Sequence, residues 1–265
     1  MELYVNGVSI LGSGLAGWAR SRAVLAGESP LCDGVPPEPT ASLLPPNEQR
    51  RSSETVRWAL YVAHETLQQA ETDVHEVASV FASSESETGI LDRLCTALAT
   101  PSRTISPTLF HHSVHNAVSG YWGIATGSSQ SSTALACYDS SFCAGLLEAA
   151  AQVELEEKPV LLVAYDLPPP TPLYAARPFR EGFAAALLLT RTPAPRTFAQ
   201  LDLVLSTDRT EEVTSMDDLR LEALRSGNQA ARSLPLLAAI ARPRGTVVCL
   251  EYLEEQHLLI QVVPC

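Results

Sequence analysis

Two short runs, residues 77–82 and 159–164, are apolar at nearly every position and give way to polar or turn residues, Ser83-Ser84-Glu85-Ser86 after the first. Runs of this length are too short for an ordinary helix and read as buried strands. They alternate with segments of helical period. Val56, Ala59, Leu60, Ala63 and Leu67 recur at helix spacing behind a start signal at Pro45-Pro46-Asn47-Glu48, and residues 90–99 suggest a second helix. Strands interleaved with helices point to an α/β unit.

The rest of the chain continues the pattern. Residues 3–11 alternate as a strand, a helix is expected from near Asn116, and residues 132–137 read as a strand. The turn Tyr138-Asp139-Ser140 then leads into a helix with Phe142, Leu146, Ala149, Ala150 and Val153 on one face. Further strands are expected at 183–190 and 201–205 and a helix at 219–231, and residues 246–253 and 257–263 form a hairpin turning through 254–256. No repeat, charge block or long linker divides the chain, so residues 1–265 are expected to form a single domain.

A formal net charge of −12, with Lys158 the only lysine, argues against a nucleic-acid or anionic-membrane surface. The apolar runs at 184–189 and 234–241 are too short to span a bilayer, and no secretory signal opens the sequence, so a cytoplasmic protein is expected. Gly12-Ser13-Gly14-Leu15-Ala16-Gly17 formally matches GxGxxG, yet a proline-rich loop follows where a dinucleotide fold needs a helix and a second strand. No cofactor is implied. The cysteines at 32, 95, 137, 143, 249 and 265 show neither CxxC pairs nor ligand spacing, so most are expected to be small buried apolar residues.

Chemistry is concentrated where the 132–137 strand turns into the following helix. First-turn amides and the helix dipole favour negative charge at such a junction, which makes Cys137 a nucleophile candidate on chemistry alone. Its competing reading is an inert cysteine at the end of a core strand. Ser140 and Ser141 lack the GxSxG elbow of a serine hydrolase and read as helix caps. His111, His112 and His115 offer helical spacing, but Ser113 and Val114 stand where a zinc protease carries its glutamate, so hydrogen-bonded structural roles are expected and no metal site. His64, His75 and His257 stand alone.

Taken in order, the helix 116–127, the strand into Ala136-Cys137, the helix running to Glu148-Ala149 and the strand from Glu181-Gly182-Phe183 resemble the N-terminal half of β-ketoacyl synthases. The resemblance is strongest over residues 1–190, with 191–265 a reduced C-terminal part. It implies a shortened thiolase-like α/β fold. Aligning Glu148-Ala149 with the family's Glu-Ala, without gaps, puts the family's catalytic cysteine position on Asp139. Placing Cys137 there instead needs a two-residue insertion that rotates the downstream face by about 200°. A carboxylate is a weak nucleophile, and at a helix start it is expected to be satisfied by free amides and the dipole.

The family's two catalytic histidines also lack counterparts in context, since only His257 lies beyond the junction region. The chain therefore resembles the short chain-length-factor-like proteins of aryl polyene and related polyketide or fatty-acid-like biosynthesis. That likeness implies a non-catalytic subunit paired with an active ketosynthase, meeting acyl carrier protein only through that partner. By position it places Leu91, Leu94, Leu98, Phe110, His111 and Phe142 along an acyl-chain tunnel. It places Ser132, Thr133, Ala134, Leu135, Ala136 and Cys137 at the dimer interface. The enzyme alternative is an acyltransferase or condensing enzyme with Cys137 as thioester nucleophile and the 111–115 histidines as base.

Overall fold

Strand β1, Glu2–Gly12, is buried at nearly every position because it lies inside a sheet covered on both faces. The computed structural model describes residues 1–36, 38–208 and 210–265. After β1 the chain doubles back through the two-residue strand β2, Leu15–Ala16, which pairs antiparallel with it. Gly14 makes this turn at φ +72°, where a Cβ would lie 2.5 Å from the Cys32 carbonyl oxygen. The glycines of the GxGxxG match thus serve a tight reversal, and β1 is flanked by antiparallel neighbours.

Helix α1, Trp18–Leu25, follows, and then the short α2, Pro46–Gln49. The long amphipathic helix is α3, Glu54–Ala70. Its start is not the proline pair but Ser53, whose Oγ accepts the Val56 amide at 3.1 Å. The Pro45 signal instead opens α2, a separate turn. Strand β3, Ala78–Ala82, and helix α4, Thr88–Ala99, occupy the expected places. Helix α5, Pro107–His112, was not expected; Ser106 as cap and Pro107 in the first turn are its start signal. Helix α6, Ala117–Thr126, begins after Asn116.

Strand β4, Ser132–Leu135, ends two residues earlier than expected, and a 3-10 turn at Tyr138–Ser140 links it to α7, Ser141–Glu156. Strands β5, Val160–Asp166, and β6, Phe183–Thr190, are fully buried. Beyond β7, Ala199–Ser206, the expected helix 219–231 is shorter: α8 covers Leu219–Gly227, and Ala230–Ser233 is a 3-10 turn. Helix α9, Leu234–Ala241, and the hairpin of β8, Thr246–Leu253, with β9, Gln256–Pro264, complete the chain.

The strands form one mixed sheet in the order β4-β3-β5-β6-β1-β7-β9-β8, with β2 beside β1. Helices α1, α7 and α9 bury their apolar faces on one side, while α3 and α6 cover the other. Gly145 lets α7 lie close on the sheet, since a Cβ there would meet Ala82 Cβ at 2.7 Å and Leu162 Cδ1 at 2.9 Å. Among the described residues only β4, β3 and β5 run parallel. Their carboxyl ends therefore open on one rim, where open α/β sheets place ligands. Among the described residues no helix is long and apolar enough to cross a membrane.

Candidate functional site

That rim collects charge. Arg177, from the loop before β6, holds Glu85 Oε1 at 2.6 Å and Asp139 Oδ1 at 2.9 Å, and its guanidinium stacks 3.9 Å above the Tyr138 ring. Arg232, from the turn before α9, holds Asp139 Oδ2 at 3.2 Å and Glu251 Oε2 at 2.9 Å. Each Asp139 oxygen thus faces its own arginine. The helix-start amides expected to satisfy this carboxylate do not; the tertiary fold supplies cations instead. Burial lowers the Arg177 pKa, but the hydrogen bonds to Glu85 and Asp139 more than offset it, and the net shift is upward.

The junction itself is strained at Tyr138, which takes φ +49°, the left-handed region that bulky residues avoid. Ser141 Oγ accepts the Cys137 amide at 3.0 Å, so it closes the turn before the helix and does not cap the helix start as expected. Ser140 departs from its expected capping role: its hydroxyl donates across to the Tyr252 carbonyl. Cys137 is partly exposed, and among the described residues no hydrogen bond reaches its thiol. The expectation that most cysteines are buried fails, because Cys32, Cys95 and Cys265 are exposed and only Cys143 and Cys249 are buried. Burial pushes the Cys143 thiol up to about 12.

Behind the ion pairs, Asp166 closes β5 in full burial. Its Oδ1 accepts the Ser83 hydroxyl at 2.8 Å, the Ser84 amide at 2.9 Å, the Ser84 hydroxyl at 3.1 Å and the Glu85 amide at 3.2 Å. Among the described residues its Oδ2 has no partner. Burial outweighs the four donors and moves the carboxyl up to about 7, which leaves the unpartnered oxygen as the place a proton would occupy. Glu87, buried nearby, is also shifted upward by desolvation, against hydrogen bonds from Ser53 and Thr55. An acid ending a wholly apolar strand is a signal visible in the sequence; the arginines, in loops far apart along the chain, gave none.

The histidines separate into three roles. His112 is buried, its Nε2 2.7 Å from the Tyr121 hydroxyl, and His115 Nε2 donates to the Ser83 carbonyl at 3.2 Å. His111 is exposed. Among the described residues no cluster of His, Cys, Asp and Glu is arranged to hold a metal ion.

Between α5 and α6 runs an open groove of about 880 Å³, walled by Phe110, Val114, Ala117 and Ile124 and floored by His112 and Tyr121. Of the residues expected along a tunnel, Phe110 and His111 line it. Leu91, Leu94 and Leu98 belong to α4 and do not, Leu94 being buried and the other two exposed. Phe142 lies in the main core beneath α7, on the opposite face of the sheet from α6. The six residues Ser132, Thr133, Ala134, Leu135, Ala136 and Cys137 lie along or just past β4, the edge strand, and all are exposed or half-buried.

This architecture is shared with known proteins. The ketosynthase (ApeO)–chain length factor (ApeC) complex from Xenorhabdus doucetiae is similar at TM-score 0.73 and 21% identity, over 98% of this chain and 99% of that one. The ishigamide ketosynthase/chain length factor is similar at TM-score 0.75 and 12% identity, over 100% and 99% of the two chains. A type II polyketide ketosynthase in complex with its acyl-carrier protein (AntDE:AntF) gives TM-score 0.74 at 10% identity, with the same coverage. At these identities the likeness establishes the thiolase-like fold. No curated protein matches the sequence. Residues 18–254 match the β-ketoacyl synthase N-terminal domain, and the chain belongs to that family.

Proposed function

We propose that this chain is a non-catalytic ketosynthase-like subunit of the chain length factor type, which pairs with an active β-ketoacyl-acyl carrier protein synthase and shapes its acyl-chain tunnel. The observation that carries the reading is Asp139, fixed between Arg177 and Arg232 at the strand-to-helix turn where the ungapped register expects a nucleophile. A carboxylate neutralised by two guanidiniums is a poor nucleophile and forms no lasting thioester. Two further features support it. The β4 edge leaves one row of backbone groups open to a partner, and exposed Phe110, Val114 and Ile124 give the groove a chain-compatible wall. The proposal includes a cytoplasmic setting and a pathway of the aryl polyene or related polyketide kind.

Similarity to solved ketosynthase/chain length factor complexes supports a ketosynthase as the partner. The net charge of −12 favours carrier protein docking on that partner, because acidic carriers are repelled by an acidic subunit. A stable complex between carrier protein and the isolated chain would overturn this part. Co-expression with an active β-ketoacyl-acyl carrier protein synthase is expected to yield a heterodimer, and recovery of homodimer alone counts against the assignment.

The competing reading, Cys137 as thioester nucleophile, draws on the partial exposure of that thiol. Iodoacetamide labelling with site-resolved mass spectrometry separates the two. Exposed Cys32, Cys95 and Cys265 serve as internal references. Labelling of Cys137 no faster than these is expected, while rapid stoichiometric modification near neutral pH would establish an activated thiolate.

A further inference from the structure

Polar atoms at the bottom of an apolar groove are costly to leave without partners, so their presence constrains what fills it. In the groove between α5 and α6 the walls are Phe110, Val114, Ala117 and Ile124, but the floor is a buried imidazole and a buried phenol. His112, 6% exposed, uses Nε2 against the Tyr121 hydroxyl at 2.7 Å. Its Nδ1 makes no hydrogen bond among the described residues and is not among the polar atoms sealed from solvent. That nitrogen is thus within reach of solvent, and His112 is one of the residues that line the groove.

We propose that the groove receives the far end of an acyl chain bearing a terminal hydroxyl group, and that His112 and Tyr121 select for it. This rests on reading the groove as an acyl-chain site and adds the chemical class of the chain. The volume of about 880 Å³ falls within the range of small-molecule sites and accommodates a medium-length chain.

A hydroxyl fits better than other groups for a reason of proton bookkeeping. If the Tyr121 hydroxyl donates to Nε2, the proton of neutral His112 lies on Nδ1, which then needs an acceptor. If Nε2 donates instead, Tyr121 turns its proton toward Glu48 Oε2, 3.5 Å away, and Nδ1 needs a donor. A hydroxyl serves in both cases, whereas a carbonyl serves in one and a methyl end in neither. Burial, reinforced by neighbouring His111, lowers the His112 pKa, and burial together with Glu48 holds the Tyr121 phenol up at about 12, so the pair stays neutral near pH 7. A carboxylate end is disfavoured. Glu48 stands beside the phenol, and its own cation, Arg51, is 3.6 Å from it at the groove margin.

The test is a binding titration of the full chain with two uncharged probes, the N-acetylcysteamine thioesters of decanoic and 10-hydroxydecanoic acid. The hydroxylated probe is expected to bind about tenfold more tightly, the worth of one buried hydrogen bond. In His112→Phe the preference for the hydroxylated probe over the plain one is expected to vanish. Should that variant fold poorly, the ¹⁵N shift of His112 Nδ1 in the wild-type protein supplies an independent reading, moving with the hydroxylated probe and not with the plain one. Equal affinities of the two probes would overturn the hydroxyl selection while leaving an acyl groove in place. Failure of both to bind at millimolar concentration, with the ketosynthase present as well as absent, would remove the groove reading itself.

Discussion

The strand-end rim and the α5–α6 groove are both polar sites in the same molecule, but they close their polar groups in opposite ways. At the rim, Asp139 has an arginine on each oxygen, Glu85 and Glu251 take the remaining guanidinium faces, and four donors converge on Asp166. In the groove, His112 and Tyr121 bond one another, and the second imidazole nitrogen is not sealed from solvent. A site whose charges are neutralised internally holds structure together. The rim's own left-over atom, Asp166 Oδ2, is sealed from solvent, whereas His112 Nδ1 is not among the sealed atoms. The difference teaches that the turn around Asp139 is tied together by its own ion pairs, whereas the groove keeps a polar atom within reach of solvent.

Four measurements break or sharpen this contrast. The largest effect is expected from pH. An acid shifted from 3.8 to about 7 in the folded state holds its proton after the unfolded chain has released it. Stability is therefore full below the unfolded value, falls as pH rises through about 7, and levels off above. The span of roughly three units amounts to at most about 4 kcal/mol. Asp166→Asn is expected to remove this slope, which urea denaturation at pH 5 and pH 8 would reveal.

Next comes the seat of α7. Gly145→Val places methyl groups against Ala82 and Leu162 and is expected to cost about 3 kcal/mol, seen as a lowered denaturation midpoint. Arg177→Met strips a partner from both Glu85 and Asp139; because Asp139 keeps about a third of its side-chain surface, the expected loss is about 2 kcal/mol, below the range for fully buried pairs. Adding Asp139→Asn to that variant is expected to recover part of it, which a double-mutant cycle would resolve. The smallest effect belongs to the groove wall. Phe110→Ser, at a side chain 65% exposed, is expected to change stability by no more than about 0.5 kcal/mol while weakening binding of the decanoyl probe. A large stability loss there would show that the groove, too, is structural.

Periodicity made much of the fold legible. The apolar runs at 77–82 and 159–164 became β3 and β5, and the five-residue face from Phe142 to Val153 is buried against the sheet. The C-terminal hairpin also falls where alternating residues and a polar turn place it. Misreadings gather where local chemistry is ambiguous. Pro45-Pro46 is a valid helix start, but for α2 and not for α3; Ser140 is a capping residue type whose hydroxyl goes to Tyr252; Phe142 suits a tunnel wall by position yet points into the core.

Strand and helix identity, the alternation that makes an α/β sheet, and the turn that carries Asp139 are local properties, set by side-chain spacing over a few residues. The partners of Asp139 are not local. Arg177 and Arg232 lie 38 and 93 residues further along the chain, and no pattern links them until the sheet order brings their loops to one rim. The same holds for the groove, whose selectivity depends on one imidazole nitrogen left within reach of solvent while the other is bonded nine residues away. Charge neutralisation and hydrogen-bond satisfaction act through space, so they were settled when the elements packed, and not before.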